Sequence, residues 1–252
     1  MLKLDELDLT KYKYIIFDMD GTLIDSIGIY NLLDYKMIEK IAKKKVPIEI
    51  INTNRNNFFK ENTSGEIYDK YCEYLIKEYD LNIELDKFIE IRNKIGNELL
   101  INDLKYKEGA TRLIKLLKSM GFKLAIATTS PRYQLDIYSY KNESMKNEIN
   151  LYDYFDFIIT KEDVNNKKPD SEIYEKVIRH FDDSFNSFLV FEDDLKGIQA
   201  AKNLNIDVIN IYDFYSIEDK KAISKITDFY IENFNELIEF ILNNQKNLKR
   251  TK

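Results

Sequence analysis

Two carboxylates, Asp18 and Asp20, stand two residues apart where an apolar run closes on Phe17. Side by side they repel unless both are needed, one as a nucleophile and the other as a proton donor and acceptor. Gly21 lets the chain turn sharply away behind them. Taken alone, Asp-x-Asp-Gly reads equally well as an acidic surface turn. A second apolar run ends in Thr128-Thr129-Ser130-Pro131. A hydroxyl there is a neutral donor suited to a phosphoryl oxygen, which makes Thr128 and Thr129 candidates for phosphate contact. Ser130 before Pro131 also reads as a helix N-cap with proline at the first helical position. Further on, Asn166-Lys167-Lys168-Pro169-Asp170 delivers Lys168, whose charge can neutralise a nucleophile and a transferring phosphoryl group, or else forms a plain basic turn. Last come Glu192-Asp193-Asp194, just ahead of a helix opening Leu195-Lys196-Gly197-Ile198. The helix dipole accounts for one or two of those acids. Three carboxylates beside a further aspartate pair need a cation, and oxygen-only ligands point to Mg2+.

These groups need elements that bring them together. The apolar runs at residues 12–17, 123–127, 157–159, 188–191 and 207–211 are continuous rather than alternating, as in strands buried on both faces. Helical patterns at 111–119, 171–181 and 195–203 lie between them, the first stopped by Gly121. Strands alternating with helices predict an α/β fold, a doubly wound parallel sheet. Residues 229–231 add a sixth strand ahead of a last helix near 236–242. In such sheets ligands bind at the carboxyl ends of the strands, where all four motifs fall. Residues 26–104 break the rhythm with helical periodicity alone, in Tyr30, Leu33, Met37 and Ile41, then Tyr71, Leu75 and Tyr79, then Ile91, Ile95 and Leu99. They predict an inserted all-helical domain, its helices separated by the polar stretches 52–57 and 61–65, within a core made of residues 1–25 and 105–252. With seven glycines and three prolines in the chain, each is expected to mark a break.

The four motifs in this order resemble the haloacid dehalogenase superfamily. Asp18-Met19-Asp20-Gly21-Thr22-Leu23-Ile24-Asp25-Ser26 is similar to its first motif and Thr128 to its second. Lys168-Pro169 resembles the third, and Phe191-Glu192-Asp193-Asp194 with Gly197-Ile198 and Ala200-Ala201 the fourth. The helical insert resembles the family's first type of cap, which can close over a site as a lid. The resemblance implies a Rossmann-like core and a phosphatase. Asp18 would attack phosphorus to give an aspartyl phosphate, while Asp20 protonates the leaving oxygen and then activates water. Mg2+ would lie between Asp18, the backbone carbonyl of Asp20 and Asp193, with Glu192 as a further ligand, direct or through water. Asp194 stands where the family usually has Ser, Lys167 where it has Gly, and Asn205 where it has a small residue. Asp20 argues against a dehalogenase, since halide leaves without a proton. A phosphomutase similar to β-phosphoglucomutase uses the same pair. A phospho-receiver domain shares acid, Thr and Lys but not the Asp-x-Asp spacing or the insert, and a non-catalytic binding protein would not need the intact set. The form of the fourth motif favours a small phosphorylated sugar or similar metabolite as substrate.

Composition sets the bounds. The chain has 252 residues, 44% hydrophobic, with a formal net charge of −6, so it predicts neither nucleic-acid nor anionic-membrane binding. Cys72 is the only cysteine, which excludes an intrachain disulfide and predicts a reducing, cytoplasmic setting. The first fifteen residues lack the apolar stretch of a signal or transit peptide, and no apolar run is long enough to span a membrane. The chain reads as a monomer whose partner is a small phosphorylated molecule. His180, the only histidine, reads as surface or packing. Arg55 reads either as a contact to a substrate phosphate or sugar hydroxyl or as a solvated loop arginine, and the Lys-rich tail 245–252 as a frayed terminus.

Overall fold

A computed structural model describes residues 4–43, 45–62 and 67–250. In chain order, strand β1 (Tyr14–Phe17) is followed by helices α1 (Ser26–Ala42), α2 (Ile48–Glu61), α3 (Ile67–Glu78) and α4 (Leu85–Asn102). Then come α5 (Ala110–Ser119), β2 (Lys123–Ala127), α6 (Arg132–Asp136), a π-helical turn at Ile137–Lys141, α7 (Glu143–Glu148), α8 (Leu151–Tyr154) and β3 (Phe157–Ile159). The chain continues through α9 (Glu172–Phe181), β4 (Phe188–Glu192), α10 (Leu195–Lys202), β5 (Asp207–Ile211), α11 (Lys220–Ile226), β6 (Phe229–Ile231) and α12 (Phe234–Arg250). It divides into two compact units, residues 1–25 with 105–252, and residues 26–104.

The first unit is built on one six-stranded sheet in the order β3-β2-β1-β4-β5-β6, with every neighbouring pair parallel. Its strands are apolar except at Lys123, Glu192, Asp207 and Asn210, because both faces are covered. Ile15, Ile16 and Phe17 are all fully buried. On one face Ile16, Ala125, Val190 and Val208 pack with Ile173 and Val177 of α9, Ile198 of α10 and Ile223 of α11. On the other, Phe17 stacks on Phe191 at 4.6 Å between centroids, and Phe191 meets Phe234 of α12 at 6.1 Å. Each such side chain stabilises the fold by about 1.5–3 kcal/mol.

The chain runs from β1 outward through β2 to β3 and then crosses to β4 on the other side of β1. The crevice between β1 and β4 is therefore the point where the winding reverses. Register decides what meets there. Phe17 pairs with Phe191 and with Ile126, so Asp18 lies beside Glu192 on one side and Ala127 on the other. The chain leaves this unit after Asp25 and re-enters it at Lys105. Its two ends run side by side, held by an antiparallel bridge between Ile24 and Tyr106 and by the Lys107 amide donating to the Leu23 carbonyl at 2.9 Å.

Several sequence expectations are corrected. Residues 52–57 do not separate helices but lie inside α2, since their polar side chains occupy a helix face and no glycine or proline interrupts them. Of the stretch 61–65, Glu61 and Asn62 close α2, and residues 63–65 lie outside the described residues. Gly28, Gly96 and Gly197 sit within helices rather than at breaks. At Gly96 the reason is packing, because a Cβ would come within 3.3 Å of Leu33 Cδ2 where α1 meets α4. The tail expected to fray carries helical backbone as far as Arg250, and residues 251–252 lie outside the described residues. His180 stacks on Phe157 at 3.9 Å, in keeping with packing.

The helical unit is organised around a buried charge cluster. Asp34 of α1 is fully buried, and its two oxygens accept from Arg55 Nη1 of α2 at 2.8 Å, Arg92 Nη2 of α4 at 2.8 Å and the Tyr71 hydroxyl of α3 at 2.5 Å. Burial opposes the Asp34 charge, but Arg92 and then Arg55 outweigh it and hold the carboxyl below its usual range. The Arg55 guanidinium lies over the rings of Tyr30, Phe59 and Tyr71 at 5.1–5.4 Å. One carboxylate thus ties all four helices. Removing it would leave two guanidiniums buried without a counter-charge. Asp34→Ala is expected to destabilise the helical unit by about 3–5 kcal/mol. Denaturant unfolding followed by circular dichroism measures this, and a loss below about 1 kcal/mol would refute the organising role.

Candidate active site

The turn after β1 is set by buried anchors. Met19, Leu23 and Ile24 are fully buried, and the Leu23 and Ile24 amides donate back to the Met19 carbonyl at 2.9 and 3.1 Å. Gly21 has φ +81°, and a Cβ there would fall 2.3 Å from Asp193 Oδ2. Only glycine allows the first strand's turn and the fourth strand's carboxylate to approach this closely. Asp18 and Asp20 leave the strand with different surroundings. Asp18 is buried, whereas Asp20 is partly exposed, with one oxygen accepting from the Ser130 hydroxyl and the other, Oδ1, buried without a partner.

Lys168, in the loop between β3 and α9, reaches back under the sheet's edge. Its ammonium donates to Asp18 Oδ1 at 2.6 Å, to Glu192 Oε1 at 2.6 Å and to the Ala127 carbonyl at 3.0 Å. Those three acceptors come from the ends of β1, β4 and β2, which register places side by side. Thr128 follows Ala127, is buried, and accepts the Ser130 amide at 3.0 Å through Oγ1, while Thr129 beside it is half-buried. Asp193 is held by two hydroxyls, Thr22 at 2.8 Å on Oδ1 and Ser216 at 3.3 Å on Oδ2. The carboxamide of Asn210, paired with Glu192 across β4 and β5, reaches the carbonyls of Glu192 and Asp193 at 3.1 and 3.3 Å and fixes the end of β4.

The electrostatics follow from burial. Burial first, and then the Glu192 charge, push the Asp18 carboxyl well above its usual range, against the pull of Lys168. Burial and the neighbouring Asp194, Asp18 and Glu192 do the same to Asp193. Burial works against the Lys168 ammonium, but Asp18 and Glu192 outweigh it and hold it charged well above the ordinary lysine range. One lysine thus faces three buried carboxylates. Asp18, Glu192 and Asp193 offer ligand oxygens that all lie within 4.8 Å of one another, the arrangement that accepts a metal ion. The donor set is all oxygen and carries an excess of negative charge, so a hard divalent cation fits it.

The sequence-predicted residues Asp18, Asp20, Thr128, Lys168, Glu192 and Asp193 all lie in this unit at the carboxyl ends of β1, β2 and β4 and in the loop after β3. Arg55 belongs to the helical unit. It is neither in a loop nor solvated, because α2 carries it and Asp34 binds it, leaving its side chain 14% exposed. Ser130 is not the N-cap expected of it. Pro131 takes that position and α6 starts at Arg132, which frees the Ser130 hydroxyl for Asp20. Asp194 is the N-cap of α10, accepting the Gly197 amide at 2.6 Å, so its extra charge also serves the helix. Asn205 has φ +55°, a left-handed conformation that asparagine tolerates where glycine is usual.

Sequence reasoning missed Tyr174, whose hydroxyl donates to Glu192 Oε1 at 2.5 Å, as well as the roles of Thr22, Ser216 and Asn210. Asn210 was detectable as a polar residue in the middle of an apolar strand. Tyr174 was not, since it shares a buried helix stripe with Ile173, Val177 and Ile178.

Known proteins are similar to this chain in sequence and in fold. The chain is 26% identical over 210 residues, 83% of its length and 88% of the relative's, to the phosphorylated carbohydrates phosphatase of Thermotoga maritima. It is 23% identical to the glyceraldehyde 3-phosphate phosphatase of Pyrococcus abyssi, covering 78% of this chain and 80% of that one. Its fold is similar to the solved structure of a β-phosphoglucomutase from Clostridium difficile, with a TM-score of 0.62 and 19% identity over 96% of this chain and all of the other. The sequence model of the haloacid dehalogenase-like hydrolases matches residues 15–211. That match takes in every strand end bearing a site residue, and the chain belongs to the haloacid dehalogenase-like hydrolase family.

Proposed function

We propose that the protein is a Mg2+-dependent phosphatase of small phosphorylated metabolites, sugar phosphates foremost, acting through an aspartyl phosphate on Asp18. The observation that carries the reading is the Lys168 ammonium bonded at once to Asp18 and Glu192, with Asp20 two residues beyond the nucleophile. Such a lysine favours the ionised nucleophile against its burial and meets the charge of an incoming phosphoryl group. The names of the Thermotoga and Pyrococcus relatives support the substrate class.

In this reading Asp18 attacks phosphorus, and the bond to the leaving oxygen breaks as Asp20 gives it a proton. Asp20, now a carboxylate, takes a proton from water as that water attacks the aspartyl phosphate. Inorganic phosphate leaves and Asp18 is restored. Thr128 and Thr129 donate to phosphoryl oxygens, and Lys168 stays bonded to Asp18 throughout. Asp18, Asp193 and Glu192, with the backbone carbonyl of Asp20, would hold Mg2+, which when bound supplies charge neutralisation at the phosphoryl oxygens. Ser130 holds one Asp20 oxygen and leaves Oδ1 for the proton transfers. The same pair of carboxylates would serve a phosphomutase, and the product distinguishes the two.

A panel of phosphorylated metabolites assayed for inorganic phosphate is the direct test. Release from sugar phosphates is expected, whereas isomerised substrate without free phosphate would mark a mutase. Activity should vanish with chelator, return with Mg2+, and return poorly with Ca2+, whose longer and looser coordination fits such a site badly. Full activity in excess chelator would refute the metal requirement. Asp18→Asn should abolish turnover, and Asp20→Asn should lower it on the order of 10²–10⁴-fold. Near-native rates in Asp18→Asn would overturn the mechanism. Ser130→Ala should slow esters of poorly acidic alcohols by up to about 10²-fold and spare an activated aryl phosphate, whose leaving group needs no proton. Equal losses on both substrates would assign Ser130 to the turn instead.

A further inference from the structure

Glu192 is clamped from three sides, by Lys168, Tyr174 and Gly197, and of these Tyr174 alone lies outside the four motifs. Lys168 and Tyr174 both donate to the same oxygen, Oε1, at 2.6 and 2.5 Å. From the third side, Gly197 in the first turn of α10 lies so close beneath the carboxylate that a Cβ there would lie 2.0–2.3 Å from its three atoms. Neither donor takes the other oxygen. The residue is 1% exposed, so no solvent replaces a lost partner. Tyr174 is fully buried on α9, and its ring also lies 5.2 Å from the Lys168 ammonium.

We propose that Tyr174 is a positioning residue of the catalytic centre, its hydroxyl turning Glu192 so that one carboxylate oxygen anchors Lys168 and the other is left to the cation. The inference rests on the metal-dependent phosphatase reading. Lys168 alone cannot fix the carboxylate's rotation, because its ammonium is shared among Asp18, Glu192 and the Ala127 carbonyl. A second donor on Oε1, delivered by a rigid ring on a packed helix, defines the plane. Partners of this kind behind a metal ligand influence affinity about 10–100-fold. A buried tyrosine hydroxyl also needs an acceptor, and Glu192 supplies it.

Tyr174→Phe removes the hydroxyl and keeps the ring, its packing and its contact with the Lys168 ammonium. Calorimetric titration of the metal-free protein with Mg2+ is expected to show affinity reduced about 10–100-fold, with kcat falling more than KM changes and circular dichroism unaltered. In a Glu192→Gln background the same change should add little, since the two residues act through one contact. Wild-type Mg2+ affinity and kcat in Tyr174→Phe would overturn the inference, as would an effect fully additive to that of Glu192→Gln. If Tyr174→Phe fails to fold, Glu192→Gln tests the contact from its other side, and unaltered Mg2+ affinity there overturns the inference. A wild-type protein that binds no Mg2+ would overturn the phosphatase reading and the inference together. Wild-type binding with an unaffected Tyr174→Phe would overturn the inference alone.

Discussion

Two carboxylates cannot end neighbouring buried strands unless something positive stands between them. Asp18 and Glu192 offer oxygens within 4.8 Å of one another, and at about 4 Å such a pair repels by about 4 kcal/mol even at an effective dielectric near 20. The Lys168 ammonium resolves this, and it does so only because register puts Phe17 beside both Ile126 and Phe191. A slip of one residue in either pairing would turn a carboxylate into the core. The sheet's register, the glycines at 21 and 197 that allow close approach, and the Asn210 amide behind β4 are all conditions for that one contact.

The two units solve the burial of charge with opposite arrangements. In the helical unit one anion, Asp34, sits between two guanidiniums, and the remaining charge is spread over aromatic faces. Arginine is always charged and its planar fork fixes geometry, so this cluster is rigid and complete. In the sheet unit one cation, Lys168, sits between two anions with a third, Asp193, alongside. That cluster keeps a negative surplus. Completeness suits a scaffold, and surplus suits a place where charge must come and go.

Much of this was legible in the sequence. Apolar runs, four of them followed by a loaded residue, gave the strands nearly to their ends, because burial on both faces leaves little room for polar positions, Asn210 being buried inside β5. The exception in β1 is instructive. Tyr12 looked like strand, but its hydroxyl is turned to Asp207 at 2.7 Å and pairing starts only at Tyr14. The helices of residues 131–155 were not legible. They are short, interrupted by a π-helical turn, and capped by Asn142 and Asn150 side chains rather than by periodicity. Within the site, groups that carry charge announced themselves through spacing. Groups that hold those charges, Ser130, Tyr174 and Ser216, did not, because their partners lie 18 to 110 residues away on another element whose register had to be known first.

The Ile24–Tyr106 bridge brings the departing and returning chain into adjacent paths. To the sheet, the whole segment between them is equivalent to the loop of a hairpin, whatever its length. Loop closure has already been met by the bridge, so lengthening or shortening the segment costs the sheet only about 0.6 kcal/mol per doubling even for a flexible loop. Lineages can therefore exchange, enlarge or delete what hangs between Asp25 and Lys105 while strand pairing and the Lys168 contact stay untouched. Between Asp25 and Lys105 the chain is thus free to vary in a way that the strand ends are not.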